Sequence, residues 1–84
     1  MLNLKIGIMP GRIEGFIFEG EVTVKYALTK AKDTFTSPSG NPVEDFLNGS
    51  TGYQAKLDGE VVELTDVIYD DGALVIAKQV KGNK

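Results

Sequence analysis

The stretch "ALVIA", residues 73–77, decides how this chain folds. A strand with one face in water alternates apolar and polar residues, because successive side chains point to opposite faces. Five consecutive apolar residues leave no polar face, which is typical of a central strand covered by a helix on one side. The rest of the chain is therefore expected to provide that helix and the neighbouring strands.

A helix is predicted from "TVKYALTKAKDTF", residues 23–35. Its apolar residues recur at i, i+3, i+4, i+7 and i+11, which is the spacing of one helical face. These residues are Val24, Ala27, Leu28, Ala31 and Phe35. Thr23 is suited to cap the first turn, because its hydroxyl can accept a hydrogen bond from an unpaired amide. Lys30 and Lys32 lie near the last turn, where the helix dipole favours cations.

Four further strands are predicted in two hairpins. "LNLKIGIM" and "IEGFIFEG" flank "PGR", and a Pro-Gly turn is not of the primed type, so a longer loop or a bulge is expected. "YQAKL" and "EVVEL" flank Asp58-Gly59, which is a strong signal for a two-residue hairpin turn. Tyr53, Ala55 and Leu57 are expected on one face of the third of these strands.

Two segments are predicted to lie outside the main strands and helix. Residues 37–51 are rich in Gly, Pro, Ser and Asn, so they are predicted to form a flexible loop. Within this loop, one or two helical turns are expected, with Asn41 as the cap, Pro42 in the first position and Gly49 as the end. The segment "TDVIYDDG" is predicted to be a connector rich in turns.

The order of these elements is strand, strand, helix, loop, strand, strand, strand. It predicts an α+β protein with the β-grasp, or ubiquitin-like, fold. Such a protein has a mixed sheet of four to five strands, with one main helix packed on one face. The first and last strands lie in parallel at the centre of that sheet. We expect one domain over residues 1–84, with a free tail at residues 81–84.

The composition excludes several classes of function. The chain has no cysteine and no histidine, so it lacks thiol nucleophiles, the usual zinc ligands and the commonest general base. The adjacent acids Asp70 and Asp71 are expected to be solvated in a turn, so no catalytic residue, metal or cofactor is predicted. The net charge of −3 argues against nucleic acid. No membrane span or secretory signal is evident, so a cytoplasmic location is expected.

The ordered set of motifs resembles a known family. A first strand followed by "PG", the helix entry "EVTVKYALTKA", and "AKLDGEVVELTDVIYDDGALVIAKQVKGN" at residues 55–83 carry the resemblance. Together they resemble the ThiS/MoaD-like branch of small ubiquitin-like proteins, the sulfur carriers of thiamine and molybdopterin synthesis. The resemblance covers the chain apart from residues 37–51.

The resemblance implies a carrier that works through its C-terminal tail. In these carriers the chain ends in Gly-Gly, and an activating enzyme adenylates the terminal carboxylate before sulfur replaces the nucleotide. Here the chain ends in Lys81-Gly82-Asn83-Lys84, so Gly82 could be activated only after Asn83 and Lys84 are removed. The implied partner is a protein, with an adenylating activating enzyme as one candidate. Lys78, Val80 and Lys81 are candidates for binding it.

A ubiquitin-like binding or structural module without carrier chemistry is the alternative hypothesis. Such folds bind partners through the open face of the sheet or through an edge strand. Phe16 and Phe18 are candidates for that surface, together with polar neighbours, although aromatic residues at alternate positions equally indicate core. The polar neighbours are Glu14, Gln54 and Lys56. The sequence leaves the pathway, the partner and the oligomeric state open.

Overall fold

The computed structural model of the 84-residue chain describes residues 1–9, 11–50 and 52–78. This part of the chain contains seven strands, two α-helices and one 3₁₀ helix. The strands are β1 (Leu2–Met9), β2 (Ile13–Phe18), β3 (Val22–Thr23), β4 (Tyr53–Leu57), β5 (Glu60–Val62), β6 (Val67–Ile68) and β7 (Gly72–Lys78). The helices are α1 (Val24–Ala31), the 3₁₀ helix Lys32–Phe35 and α2 (Pro42–Leu47).

Five of the strands form one mixed sheet in the order β2-β1-β7-β4-β5. The first and last strands are parallel neighbours at its centre, and every other pair in this sheet is antiparallel. With α1 on one face, this is the β-grasp arrangement that the sequence predicts. The central position of β7 explains why "ALVIA" carries no polar face.

The core lies between this sheet and α1. All five residues of the predicted helical face are buried: Val24, Ala27, Leu28, Ala31 and Phe35. The sheet contributes alternate residues of its strands: Leu2, Leu4 and Ile6 from β1, Ala55 from β4, and Leu74 and Ile76 from β7. The predicted helical face and the predicted central strand are therefore confirmed as the two halves of one core.

The main helix is shorter than the predicted span of residues 23–35. Thr23 caps it as expected, because its Oγ1 accepts a hydrogen bond from the Tyr26 amide at 3.1 Å. After Ala31 the chain tightens into the 3₁₀ helix. The side-chain amide of Asn41 donates to the Lys32 carbonyl at 2.7 Å, so this carbonyl has a partner outside the helix. That external bond accounts for the early end of α1.

The segment predicted as a loop at residues 37–51 is tied to the core near its middle. Asn41 is buried, and its Oδ1 accepts from the Glu44 amide, which makes it the cap of α2. Pro42 occupies the first position of α2, and Gly49 follows its end with φ of 92°. The cap, the first position and the end are therefore confirmed.

The second hairpin turns at Asp58-Gly59, as predicted. Both residues have positive φ, 51° and 92°, which is the requirement of a type I′ turn. The strand that follows ends at Val62, two residues earlier than "EVVEL" predicts. It ends there because the Asp66 carboxylate accepts from the Glu63 amide at 2.8 Å, which begins a new turn.

The connector "TDVIYDDG" has more structure than the sequence predicts. Within it β6 pairs antiparallel with β3, and the side chain of Ile68 is buried. The first-turn amides of α1 donate to this segment, Val24 to the Asp66 carbonyl at 2.9 Å and Lys25 to the Leu64 carbonyl at 3.1 Å. The connector therefore satisfies amide groups that a helix leaves unpaired at its start.

We predict that Asn41→Ala destabilises the protein by about 2–3 kcal/mol, because it removes a helix cap and leaves the Lys32 carbonyl without its donor. Thr23→Ala is the matched control, since it removes a cap alone, and we expect a loss of about 1 kcal/mol. Urea unfolding followed by circular dichroism measures both losses. Equal losses for the two variants would show that the buried side-chain amide of Asn41 contributes nothing beyond capping.

Candidate functional site

The face of the five-stranded sheet opposite α1 is exposed and largely apolar, and we call it the open face. Its apolar members are Met9, Ile13, Ile17, Val61, Ala73, Val75 and Ala77. Its polar members are Asn3, Lys5, Gln54 and Lys56. Four of these apolar side chains expose about half or more of their surface: 57% for Met9, 47% for Ile13, 65% for Ile17 and 62% for Val61. A concentration of exposed apolar side chains on one face indicates an interaction surface.

The strand register explains why these residues share a face. Val75 on the central strand lies between Gly7 of β1 and Lys56 of β4, and Ile13 lies opposite Gly7 on the next strand out. A Cβ atom at Gly7 would lie 2.4 Å from Cγ1 of Ile13, so only glycine allows Ile13 to lie over β1 at this point. The glycine therefore lets the apolar row extend from β7 towards β2.

A shallow hollow of about 220 Å³ lies on the open face beside the turn between β4 and β5. Met9, Val75 and Ala77 form its apolar side, and Lys56 and Asp58 form its polar side. Pockets for drug-sized ligands are larger, about 300–1,000 Å³, and enclose most of the ligand. The hollow is therefore better suited to a side chain that protrudes from a protein partner.

Three of the six acids between residues 58 and 71 accept hydrogen bonds from backbone amides: Asp58, Asp66 and Asp71. Asp58 Oδ1 accepts from the Ala73 amide at 3.0 Å, and Asp71 Oδ1 accepts from the Asn3 amide at 2.8 Å. A Cβ atom at Gly72 would lie 2.6 Å from Asp58 Oδ2, so the close approach of this carboxylate requires glycine. These contacts hold the entry of β7 in place and give these acids a structural role.

The predicted partner-binding aromatics lie on the other side of the sheet. Phe16 pairs with Leu4 and Phe18 pairs with Leu2, so both rings face α1. Phe18 belongs to the core, and Phe16 is half-buried against it. Phe18 is therefore a core residue, and Phe16 packs at the margin of the core. The exposed apolar residue between them is Ile17, which sequence reasoning missed because "IEGFIF" carries large apolar residues on both faces.

The residues predicted for the tail fall mostly beyond the described part of the chain. Lys78 is the last described residue, and it is exposed at the end of β7. Val80, Lys81 and Gly82 lie outside the described residues, as does the predicted free tail. The open-face candidate Lys56 is half-buried and pairs with both Val75 and Val61.

The described residues contain neither a cluster of metal ligands nor a helix that could span a membrane. Within residues 1–9, 11–50 and 52–78, no group of three or more acidic side chains has the geometry to hold a metal ion. No helix in the same ranges combines the length and the apolar character needed to cross a bilayer.

We predict that neighbouring residues of β2 respond very differently to truncation, because one faces solvent and the other the core. Phe18→Ala should cost about 3 kcal/mol of unfolding free energy through lost burial and a cavity. Ile17→Thr keeps a β-branched side chain on the open face and should change that free energy by less than about 0.5 kcal/mol. Urea unfolding measures both, and a larger loss for Ile17→Thr would contradict the assignment of the two faces.

No protein-family model matches this sequence, and no curated protein matches it either. The fold does match a solved structure. The crystal structure of SAMP1 from Haloferax volcanii superposes with a TM-score of 0.61 at 14% sequence identity. The match covers 96% of this chain and 99% of that chain. This chain therefore has the β-grasp fold of SAMP1 over nearly its full length.

Proposed function

We propose that this chain is a non-enzymatic ubiquitin-like protein of the sulfur-carrier-related, ThiS/MoaD-like type, which acts by binding a protein partner. The motifs of the sequence resemble that family, and the fold match is to SAMP1, a small ubiquitin-like protein of the sulfur-carrier type. The partner that this role requires is an adenylating activating enzyme. Such a carrier would act in the cytoplasm.

One observation carries the proposal: the strand that leads to the tail lies in the middle of the open face. Ala73, Val75 and Ala77 of β7 alternate with buried residues and point to that face. A partner that covers the open face therefore also covers the strand from which the tail continues. Gly82 follows Lys78 by only four residues, a span of at most about 14 Å. If the partner covers the open face, Gly82 therefore lies within that distance of Lys78, at the end of the strand that the partner covers.

The chemistry proposed for the tail explains the need for glycine. The terminal carboxylate attacks the α-phosphorus of ATP, an acyl adenylate forms, and pyrophosphate leaves. Sulfide then attacks the acyl carbon, the bond to the phosphate breaks, and AMP leaves, which gives a thiocarboxylate without any change of oxidation state. A residue without Cβ bends freely and passes through a narrow channel to the nucleotide. In this chain the reaction requires removal of Asn83 and Lys84, so that Gly82 carries the carboxylate.

The alternative function is a ubiquitin-like binding or structural module without carrier chemistry. One observation favours it: Lys81 stands where the carriers have the first of two glycines. This alternative needs the open face but does not need Gly82. The activity of the captured partner separates the two functions in a pull-down from host lysate. Capture of an enzyme that adenylates the chain ending at Gly82 favours the carrier. Capture of a partner without that activity, both by the full chain and by a chain that lacks residues 81–84, favours the binding module.

We predict that the chain ending at Gly82 forms an adenylate with ATP and an activating enzyme from the same host, whereas the chain ending at Lys84 does not. The physical reason is that only the shorter chain presents a glycine carboxylate to the nucleotide. Pyrophosphate exchange and intact mass measure the product. Absence of an adenylate from both forms would contradict the carrier role.

We further predict that Met9→Asp in the chain ending at Gly82 weakens binding to that enzyme by at least about tenfold, because it places a charge in an apolar contact. Tyr69→Asp is the matched control. Tyr69 is 69% exposed but lies between β6 and β7, outside the five-stranded sheet. Titration calorimetry measures both affinities. Equal affinities for the two variants would show that the partner does not dock on the open face.

A further inference from the structure

The outer side of β2 carries unpaired backbone groups. In the described part of the chain, β2 is an edge strand with β1 as its one neighbour. The Ile8 amide donates to the Arg12 carbonyl at 3.1 Å, and these residues continue the β1–β2 register directly opposite one another. In an antiparallel pair, residues bonded in this way recur at every second position. The residues between them, Ile13, Gly15 and Ile17, therefore point their amides and carbonyls away from β1.

A second hydrogen bond supports this assignment from the other side of β1. The Asn3 amide donates to Asp71 Oδ1 at 2.8 Å, at the end of the sheet where β7 begins. Asn3 therefore directs its amide away from β2. Its partner in β2 is Ile17. In an antiparallel ladder, if one residue of a pair directs its amide and carbonyl away from the other strand, its partner does so too.

This edge has few of the features by which proteins prevent strand pairing. Natural edges are protected by shortness, proline, lysine or inward-pointing charge. The opposite edge, β5, is only three residues long. By contrast β2 has six residues, and its sequence "IEGFIF" contains no proline or lysine and a single charge, Glu14. Ile13 and Ile17, whose amides and carbonyls point away from β1, have side chains on the open face that are 47% and 65% exposed.

We propose that β2 pairs with β2 of a second copy of this chain, antiparallel and centred on Gly15. Ile13 and Ile17 each lie two residues from Gly15, so in this register Gly15 faces itself and each Ile13 faces Ile17 of the second copy. Each of the three pairs exchanges two backbone hydrogen bonds. If the register shifts by two residues in either direction, Ile13 or Ile17 faces a residue beyond the end of β2 in the second copy. The centred register is therefore the one that pairs all three.

Charge complementarity also favours a second copy as the occupant. In the centred register, Glu14 of the second copy lies opposite Phe16, and its Arg12 lies opposite Phe18. The side chains of Glu14 and Arg12 form an ion pair and are 46% and 58% exposed. Phe16 and Phe18 line a hollow beside α1 that also holds charges of both signs, namely Glu19, Glu21 and Lys30. The second copy thus brings one charge of each sign to a hollow that contains both.

The self-association surface is separate from the tail, so its test does not depend on the proposed carrier role. Sedimentation velocity of the full chain up to about 1 mM should show a reversible monomer–dimer equilibrium, because a contact between two six-residue strands is small and small interfaces bind weakly. Gly15→Pro removes an outward-pointing amide that β1 does not use, and proline is tolerated at such edge positions. Gly15→Ala keeps the amide, and space for its Cβ is open.

We expect Gly15→Pro to raise the dimer dissociation constant by at least about tenfold, and Gly15→Ala to leave it within about threefold of the wild type. A wild-type chain that is monomeric throughout the concentration range would overturn the proposal, even if the edge accepted a peptide from another protein. A Gly15→Pro dimer as tight as the wild type would also overturn it.

Cysteine cross-linking tests the register without proline. The chain has no native cysteine, so a single substitution gives one reactive thiol. Gly15→Cys places two thiols opposite one another across the two-fold axis, at a Cα separation of about 5.5 Å, which a disulfide can span. Gly20→Cys is the matched control, an equally open glycine beyond the end of β2. Rapid oxidation of Gly15→Cys alone supports the register, and equal oxidation of the two variants would overturn it.

Discussion

The parallel pairing of β1 with β7 is the interaction on which the rest of this structure depends. It pairs Ile6 with Leu74 and Ile8 with Ile76. Leu4, Ile6, Leu74 and Ile76 are fully buried in the layer that α1 covers. The two strands lie at opposite ends of the chain, so this contact has a large loop-closure cost and forms only when most of the domain is present. The same pairing makes β7 central, and it thereby brings the strand before the tail onto the open face.

Features that depend on local chemistry could be predicted from the sequence. The helical face from Val24 to Phe35, the caps Thr23 and Asn41, and the Asp58-Gly59 turn each rest on residues a few positions apart. Their signals are strong because a helical period, a capping side chain and a positive φ each restrict the residue types that fit. The central strand belongs to this group, since five apolar residues exclude an exposed face.

Features that depend on contacts between distant segments could not be predicted. The pairing of β3 with β6 involves two residues on each side, which is too few to show a period of two. The early end of α1 follows from a hydrogen bond between Lys32 and Asn41, nine residues apart. The two faces of β2 could not be distinguished from "IEGFIF", and only the pairing of Phe18 with Leu2 shows which residues are buried.

The open face and the outer edge of β2 share Ile13 and Ile17, so the two proposed surfaces are adjacent. Pairing through β2 would join the open faces of two copies into one continuous apolar surface and leave both β7 strands accessible. Met9, Val75 and Lys56 lie on β1, β7 and β4, which are one, two and three strands away from β2. A dimer formed through β2 can therefore still bind a partner on the open faces of its two copies.

The intact mass of the protein recovered from its native host tests the proposed carrier role most directly. The proposal predicts a population whose chain ends at Gly82, with part of it carrying a terminal thiocarboxylate. It requires a processing step, because the encoded chain continues through Asn83 to Lys84. If every recovered molecule ended at Lys84, with an unmodified carboxylate, the carrier role would be contradicted and the binding module would remain.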